Sequence, residues 1–174
     1  GADAAGSRAA QVLALTHPGR LFATAGVHPH HASAFDAETE TLLRQKLKAL
    51  LPEGRHAFTD TIDSDGQGHG PIKLRYALEV SSDRIRLDTS QSDDQVPGPV
   101  NFLMSPPVPA MIFGSYLLGG SQTLLNAGVE RALDEVVVRP GSILQPTFPA
   151  PLGMRGVTMM RNMAACLGLL NVAT

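Results

Sequence analysis

The sequence predicts an α+β fold: an antiparallel, hairpin-based sheet with packed helices, preceded by a helix–strand–helix segment. Three observations carry that expectation. Ile72, Leu74, Tyr76, Leu78 and Val80 alternate with Lys73, Arg75, Ala77 and Glu79, the period of two that marks a strand with one buried face. The polar turn Ser81-Ser82-Asp83 follows, and Arg84-Ile85-Arg86-Leu87-Asp88 alternates again, which completes a hairpin. On either side of this hairpin, leucines and other apolar residues recur at helical spacing.

In chain order, Ser7 to Thr16 is rich in alanine and leucine and reads as a helix, stopped by His17-Pro18-Gly19. Leu21 to Val27 reads as a short buried strand leading into the histidine cluster His28-Pro29-His30-His31. Ser33 and Asp36 are suitable N-cap residues for a helix over Ala37 to Leu50, with Leu43, Leu47, Leu50 and Leu51 on one face and Pro52-Glu53-Gly54 as its stop. Phe58 to Ile62 and Val136 to Arg139 are further strand candidates. The apolar stretch from Pro106 to Leu125 is broken by Pro107, Pro109, Gly114, Gly119 and Gly120, so it predicts a short buried helix and not a membrane span. From Val157 to Val172 a last helix is expected to bury Val157, Met160, Ala164, Leu167 and Leu170, with Arg161 and Asn162 turned away and Met159, Met160 and Met163 as core filler.

Composition excludes several classes. With 174 residues the chain is long enough to bury a real core. Its 14 basic and 16 acidic residues are scattered, so the basic footprint of a nucleic-acid binder is missing. The single cysteine, Cys166, rules out an internal disulfide, sits among apolar neighbours as a buried inert thiol, and suits a reducing, cytoplasmic compartment. No signal-peptide pattern opens the sequence, and Gly1 in place of an initiator methionine is what a chain begun partway through a gene would show.

Few motifs carry chemistry. In an extended chain His28 and His30 point to the same side, so they are the candidate ligands for a divalent metal ion. The acidic turn Asp60-Thr61-Ile62-Asp63-Ser64-Asp65-Gly66 lacks the glutamate of a calcium loop, since Ile72 stands where it should be, and reads as a structural turn. Gly66, Gly68 and Gly70 precede a strand and not a helix, which makes a flexible turn of them and not a phosphate cradle. Asp88, at a strand end feeding a loop, is the candidate catalytic residue. Asn101 and Asn126 are the candidate substrate-binding residues, although asparagines among prolines and glycines also close turns.

Two family resemblances follow from these segments. Leu21-Phe-Ala-Thr-Ala-Gly-Val-His-Pro-His-His-Ala-Ser33 resembles the end of an early barrel strand in TatD-type metal-dependent deoxyribonucleases, in which the residue matching His28 lies at the active-site end. The family's His-x-His strand, Gly-Glu-x-Gly segment and later ligands are absent, and a barrel metal site draws its ligands from many strands. From Leu43 onward the chain resembles the hydantoinase B/oxoprolinase family. The matching segments are Leu51-Pro-Glu-Gly54, Asp63-Ser-Asp-Gly66, Asp88-Thr-Ser-Gln-Ser92, Gln95-Val-Pro-Gly-Pro-Val-Asn101, Asn126-Ala-Gly128, Pro140-Gly-Ser-Ile-Leu-Gln-Pro146 and Pro149-Ala-Pro151. The family usually shows Asp-Phe-Ser-Gly where this chain has Asp88-Thr89-Ser90-Gln91. Two parts are therefore expected: a TatD-like segment over 1–42 and a partial hydantoinase B-like domain over 43–174. The second resemblance implies a subunit of an ATP-dependent hydrolase that opens a small cyclic amide such as hydantoin or 5-oxoproline, with a hydantoinase A-type partner handling the ATP. It is expected to be incomplete and inactive alone. The alternatives are a fragment of a metal-dependent DNA hydrolase and a non-catalytic fused or truncated product.

Overall fold

The computed structural model describes residues 3–24, 26, 32–118 and 126–172. The elements run α1 (Ala4–Thr16), α2 (Ala32–Leu50), β1 (Gly54–Ile62), β2 (Ile72–Val80), β3 (Ile85–Asp88), α3 (Pro107–Leu118), a 3-10 helix (Ala127–Ala132), β4 (Glu135–Val137) and α4 (Arg155–Asn171). The four strands form one sheet in the order β1-β2-β3-β4. The first three are antiparallel, with Phe58 opposite Tyr76 and Leu78 opposite Leu87, and β4 closes the far side parallel to β3. The α+β class and the central hairpin are as the sequence predicts.

The alternation of β2 explains the layering. Ile72, Leu74, Tyr76, Leu78 and Val80 are buried on one face with Ile85 and Leu87. That face meets Leu43 and Leu47 of α2 and Leu51 just after it, Ala110, Phe113 and Leu118 of α3, and Ala165, Cys166 and Leu169 of α4 in a single core. The other face is polar, crossed by the ion pairs of Arg86 with Glu79 (3.0 Å) and Glu135 (2.9 Å). Among the described residues no helix is long and apolar enough to cross a membrane.

Three expectations are corrected. Residues 21–24 form no strand, and Phe22 is 89% exposed: a buried barrel strand needs flanking strands, and β1–β4 pair elsewhere. The helix expected from Ala37 begins at Ala32, so Ser33 and Asp36 lie inside α2 and do not cap it. In α4 the buried face is Thr158, Asn162, Ala165, Cys166 and Leu169, whereas Met160 is 71% exposed and Val157, Met159 and Met163 also face outward. The cause is polar. The Tyr76 hydroxyl, trapped in the core, donates to Asn162 Oδ1 at 2.6 Å, and Thr158 Oγ1 donates to the buried carbonyl of Val100. Satisfying two buried polar groups rotates the helix away from its most apolar stripe. The other end of the chain is less anchored: α1 leaves Val12, Leu13 and Leu15 exposed, and its Ser7 hydroxyl bonds Gly26.

Candidate functional site

One end of the sheet gathers the loops. β1 and β2 are joined there by residues 63–71, β3 leaves by residues 89–106, and β4 leaves by residues 138–154. The three loops are laced together. Asp93 exchanges backbone bonds with Lys73 and Ile143, Gln95 N–H donates to Gly141 O, and Phe102 and Met104 donate to Ile143 and Leu144, all at 2.9 Å. Segments far apart in sequence thus meet: 63–66, 88–92, 95–101, 140–146 and 149–151.

At the centre lies a buried carboxylate with a half-exposed imidazole on it. Asp65, whose side chain is fully buried, accepts N–H bonds from Gln67 (2.7 Å), His69 (3.0 Å) and Gly98 (3.0 Å). Its Oδ2 lies 3.1 Å from His69 Nδ1. Burial pushes the Asp65 carboxyl up, but these backbone donors and the imidazole outweigh it and hold it below its ordinary value of 3.8. An ionised carboxylate can only accept, so Nδ1 carries the hydrogen of this bond, and Nε2, which has no partner among the described residues, is the ring's remaining nitrogen. The ring is 54% exposed, which leaves it reachable. Gly98 is required at this point: a Cβ there would lie 2.5 Å from the carbonyl oxygen of Asp65.

Asn101 belongs to the same cluster but has no free atom to offer. It is fully buried; Oδ1 accepts from Val96 N–H (2.9 Å), and Nδ2 donates to Val96 O (2.8 Å), Gly98 O (3.1 Å) and Pro151 O (3.0 Å). Its amide closes the 96–101 turn and ties it to the segment before α4. Asp88 stands at the same sheet end, where Oδ1 accepts the Ser90 N–H (2.8 Å) and Oδ2 lies 3.3 Å from Arg86. Burial pushes its carboxyl up, but the Ser90 hydroxyl and N–H and the Arg86 guanidinium outweigh that and lower it. Where the family resemblance leads one to expect an aromatic, Thr89 is buried and bonds the Val137 carbonyl through both N–H and hydroxyl.

The remaining candidates fall elsewhere. Asn126 accepts from Gly128 N–H (2.8 Å) and donates to Thr39 Oγ1 (2.7 Å), which pins the 3-10 helix to α2. Asp88 bonds Ser90 and Arg86, Asn101 bonds Val96, Gly98 and Pro151, and Asn126 bonds Gly128 and Thr39, so each serves a different set of neighbours. His28 and His30 lie outside the described residues, and among those described no three His, Cys, Asp or Glu side chains come together to hold a metal ion. Cys166 is buried and its thiol is pushed up to about 12 by that burial, as expected for an inert group.

The pairing of Asp65 with His69 escaped the sequence reading. The four-residue separation was visible, but the reach of Asp65 to Gly98, 33 residues away, was not.

Comparison with known proteins bears on the fold and the family. A solved structure, the ATP-dependent caprolactamase from Pseudomonas jessenii, superposes on 98% of this chain with a TM-score of 0.66 at 17% sequence identity; the match covers 28% of that protein. A 45-residue stretch is 58% identical to the 3'-5' ssDNA/RNA exonuclease TatD of Pantoea sp., covering 26% of this chain and 17% of that relative. The TatD of Yersinia pseudotuberculosis is 50% identical over 44 residues, again 17% of its length. The chain therefore spans about a sixth of the curated relatives it matches and just over a quarter of the solved one. The family model for hydantoinase B/oxoprolinase matches residues 17–174, and the chain belongs to that family.

Proposed function

We propose that the chain is a hydantoinase B-like piece of an ATP-dependent hydrolase that opens cyclic amides of the hydantoin or 5-oxoproline kind. A hydantoinase A-type partner supplies the ATP-handling part, and the chain is inactive alone. The observation that carries this reading is the family match over residues 17–174. The likeness in fold to a protein named as an ATP-dependent caprolactamase, an enzyme of a cyclic amide, supports it.

Opening a cyclic amide with water needs a base that takes a proton from the attacking water and later returns one to the leaving nitrogen. In this reading His69 is that base through Nε2, and Asp65 holds the ring's tautomer and orientation. Asn101 is a positioning residue, since its amide is spent on the loop that presents Gly98 to Asp65. Asp88 positions Ser90 and the start of the 89–106 loop, and Asn126 fixes the 3-10 helix. The domain reading keeps a TatD-like part over 1–42 and the hydantoinase B-like part over 43–174, with α2 running across their join.

The test is reconstitution. ATP-dependent ring opening of hydantoin, 5-oxoproline or caprolactam, followed by product formation and phosphate release, is expected only when chain and A-type partner are mixed. No partner-dependent turnover would sink the proposal. A second reading rests on the 58% identity to TatD: a metal-dependent DNA hydrolase using His28 and His30. It requires magnesium- or zinc-dependent DNA cleavage that disappears in His28→Ala, and an inactive wild type removes it. Failure of both leaves the non-catalytic, fused or truncated product.

A further inference from the structure

The sulfur atoms of the chain are sorted by depth. There are six methionines and one cysteine. Methionine is ordinarily among the buried side chains, yet here only Met104 is inside, 2% exposed and against the Tyr76 hydroxyl at 3.9 Å. Met160 is 71% exposed, and Met111, Met154, Met159 and Met163 lie between 50% and 56%. Cys166 is buried, and its thiol, pushed up to about 12, stays protonated and unreactive at neutral pH. Every sulfur that solvent reaches is therefore a thioether, and the thiol is out of reach.

The five exposed methionines are not evenly spread. Three fall within one stretch of α4, where Met159 and Met163 stand one turn apart and Met160 follows Met159. Met154 is the N-cap residue of the same helix, and Met111 lies on α3, which packs against α4. This outward side exists because Thr158, Asn162, Ala165, Cys166 and Leu169 turn inward, drawn by Tyr76 and the Val100 carbonyl. The thioethers on it hold no core position, so an oxygen added to them leaves the packing of α4 on β1 and β2 intact. An oxygen on Met104 would instead force a new polar group into the core beside Tyr76.

We propose that the outer side of α4 is a reversible oxidant-accepting site whose substrate class is the peroxides, with Met160 as its first-reacting sulfur. The O–O bond of the peroxide breaks as one S–O bond forms. The sulfur gives up two electrons, and with hydrogen peroxide the leaving oxygen keeps its own hydrogen, takes the second and departs as water. Methionine sulfoxide reductases, one for each sulfoxide epimer, return the thioether. Sulfoxides turn an apolar outward stripe polar, so oxidant is registered as a loss of surface apolarity while the core stays as it was.

The test is hydrogen peroxide on the 174-residue chain, followed by peptide mass mapping. Sulfoxide is expected at Met160 first and then at Met111, Met154, Met159 and Met163, with Met104 and Cys166 at least about tenfold slower because oxidation follows exposure. The oxidised chain is expected to keep its urea midpoint and to bind less of the apolar dye anilinonaphthalene sulfonate. Both reductase types together restore the original mass and the dye binding. In Met159→Leu/Met160→Leu/Met163→Leu the dye response to peroxide is expected to shrink severalfold, which locates it on α4. Oxidation of Met104 or Cys166 at the rate of the α4 methionines, a fall in the urea midpoint, an unchanged dye response in the wild type or a full one in the triple variant overturns the proposal. None of these readouts needs ring opening or a partner, so they stand apart from the test of the proposed function.

Discussion

Asp65 and Asp88 occupy matching places, each at the sheet end where a strand gives way to a loop, yet their surroundings differ in kind. Asp65 is enclosed by three backbone donors and holds a half-exposed histidine whose second nitrogen has no partner among the described residues. Asp88 is partly open, accepts one backbone donor and shares its charge with an arginine that also serves Glu79 and Glu135. The difference teaches that a carboxylate is better placed for chemistry when its own valences are filled by the fold and a titratable neighbour is left over. Asp88 belongs to an ion-pair network on a polar sheet face, where such pairs are individually weak.

The sharpest way to break this contrast is His69→Ala in the reconstituted system. Loss of a general base lowers turnover by about 10²- to 10⁴-fold, while the urea midpoint moves little because the ring is half exposed. If turnover survives and that of Asp88→Asn collapses, the roles are reversed. Asp65→Ala comes next, this time as a stability effect: it orphans three N–H donors, at a cost of about 3 kcal/mol measured by urea unfolding. Asn101→Ala leaves Val96 N–H and three carbonyls without their partner and is expected to cost about 2 kcal/mol in the same experiment. Asp88→Asn keeps an acceptor for Ser90 and loses only a screened ion pair, so a change under about 1 kcal/mol is expected.

Acid sharpens the comparison further. The folded Asp65 carboxyl lies below its ordinary value of 3.8, so its stabilising contribution is complete above that value and is lost as pH falls through the lower, folded one. Asp65→Asn has no proton to take up, so its urea midpoint should fall less than wild type between about pH 5 and about pH 2.

Much of the fold was legible because the signals were local. The β2–β3 hairpin was read from alternation and a three-residue turn, and Leu43, Leu47 and Leu51 lie buried at helical spacing as expected. The face of α4 was misread because a period of 3.6 ranks residues by apolarity alone. Asn162 and Thr158 are inside for the sake of Tyr76 and Val100, which lie on other elements. The strand at residues 21–24 failed for a similar reason, since an apolar run becomes a strand only where a neighbouring strand accepts it. At the site, the turn role of Asn101 was foreseen from its glycine and proline neighbours. The Asp65–His69 pair was not, because its donors come from both sides of β2 and β3.

The bond between Tyr76 and Asn162 also equips the protein with an optical gauge. The chain has no tryptophan and two tyrosines, and Tyr116 is exposed while Tyr76 is sealed against Asn162 with its phenol pushed well above the ordinary 10.0. In Tyr116→Phe every photon of intrinsic emission above the phenylalanine band would come from the interface of α4 with β2. Loosening of that one contact could then be timed by stopped flow without attaching a dye.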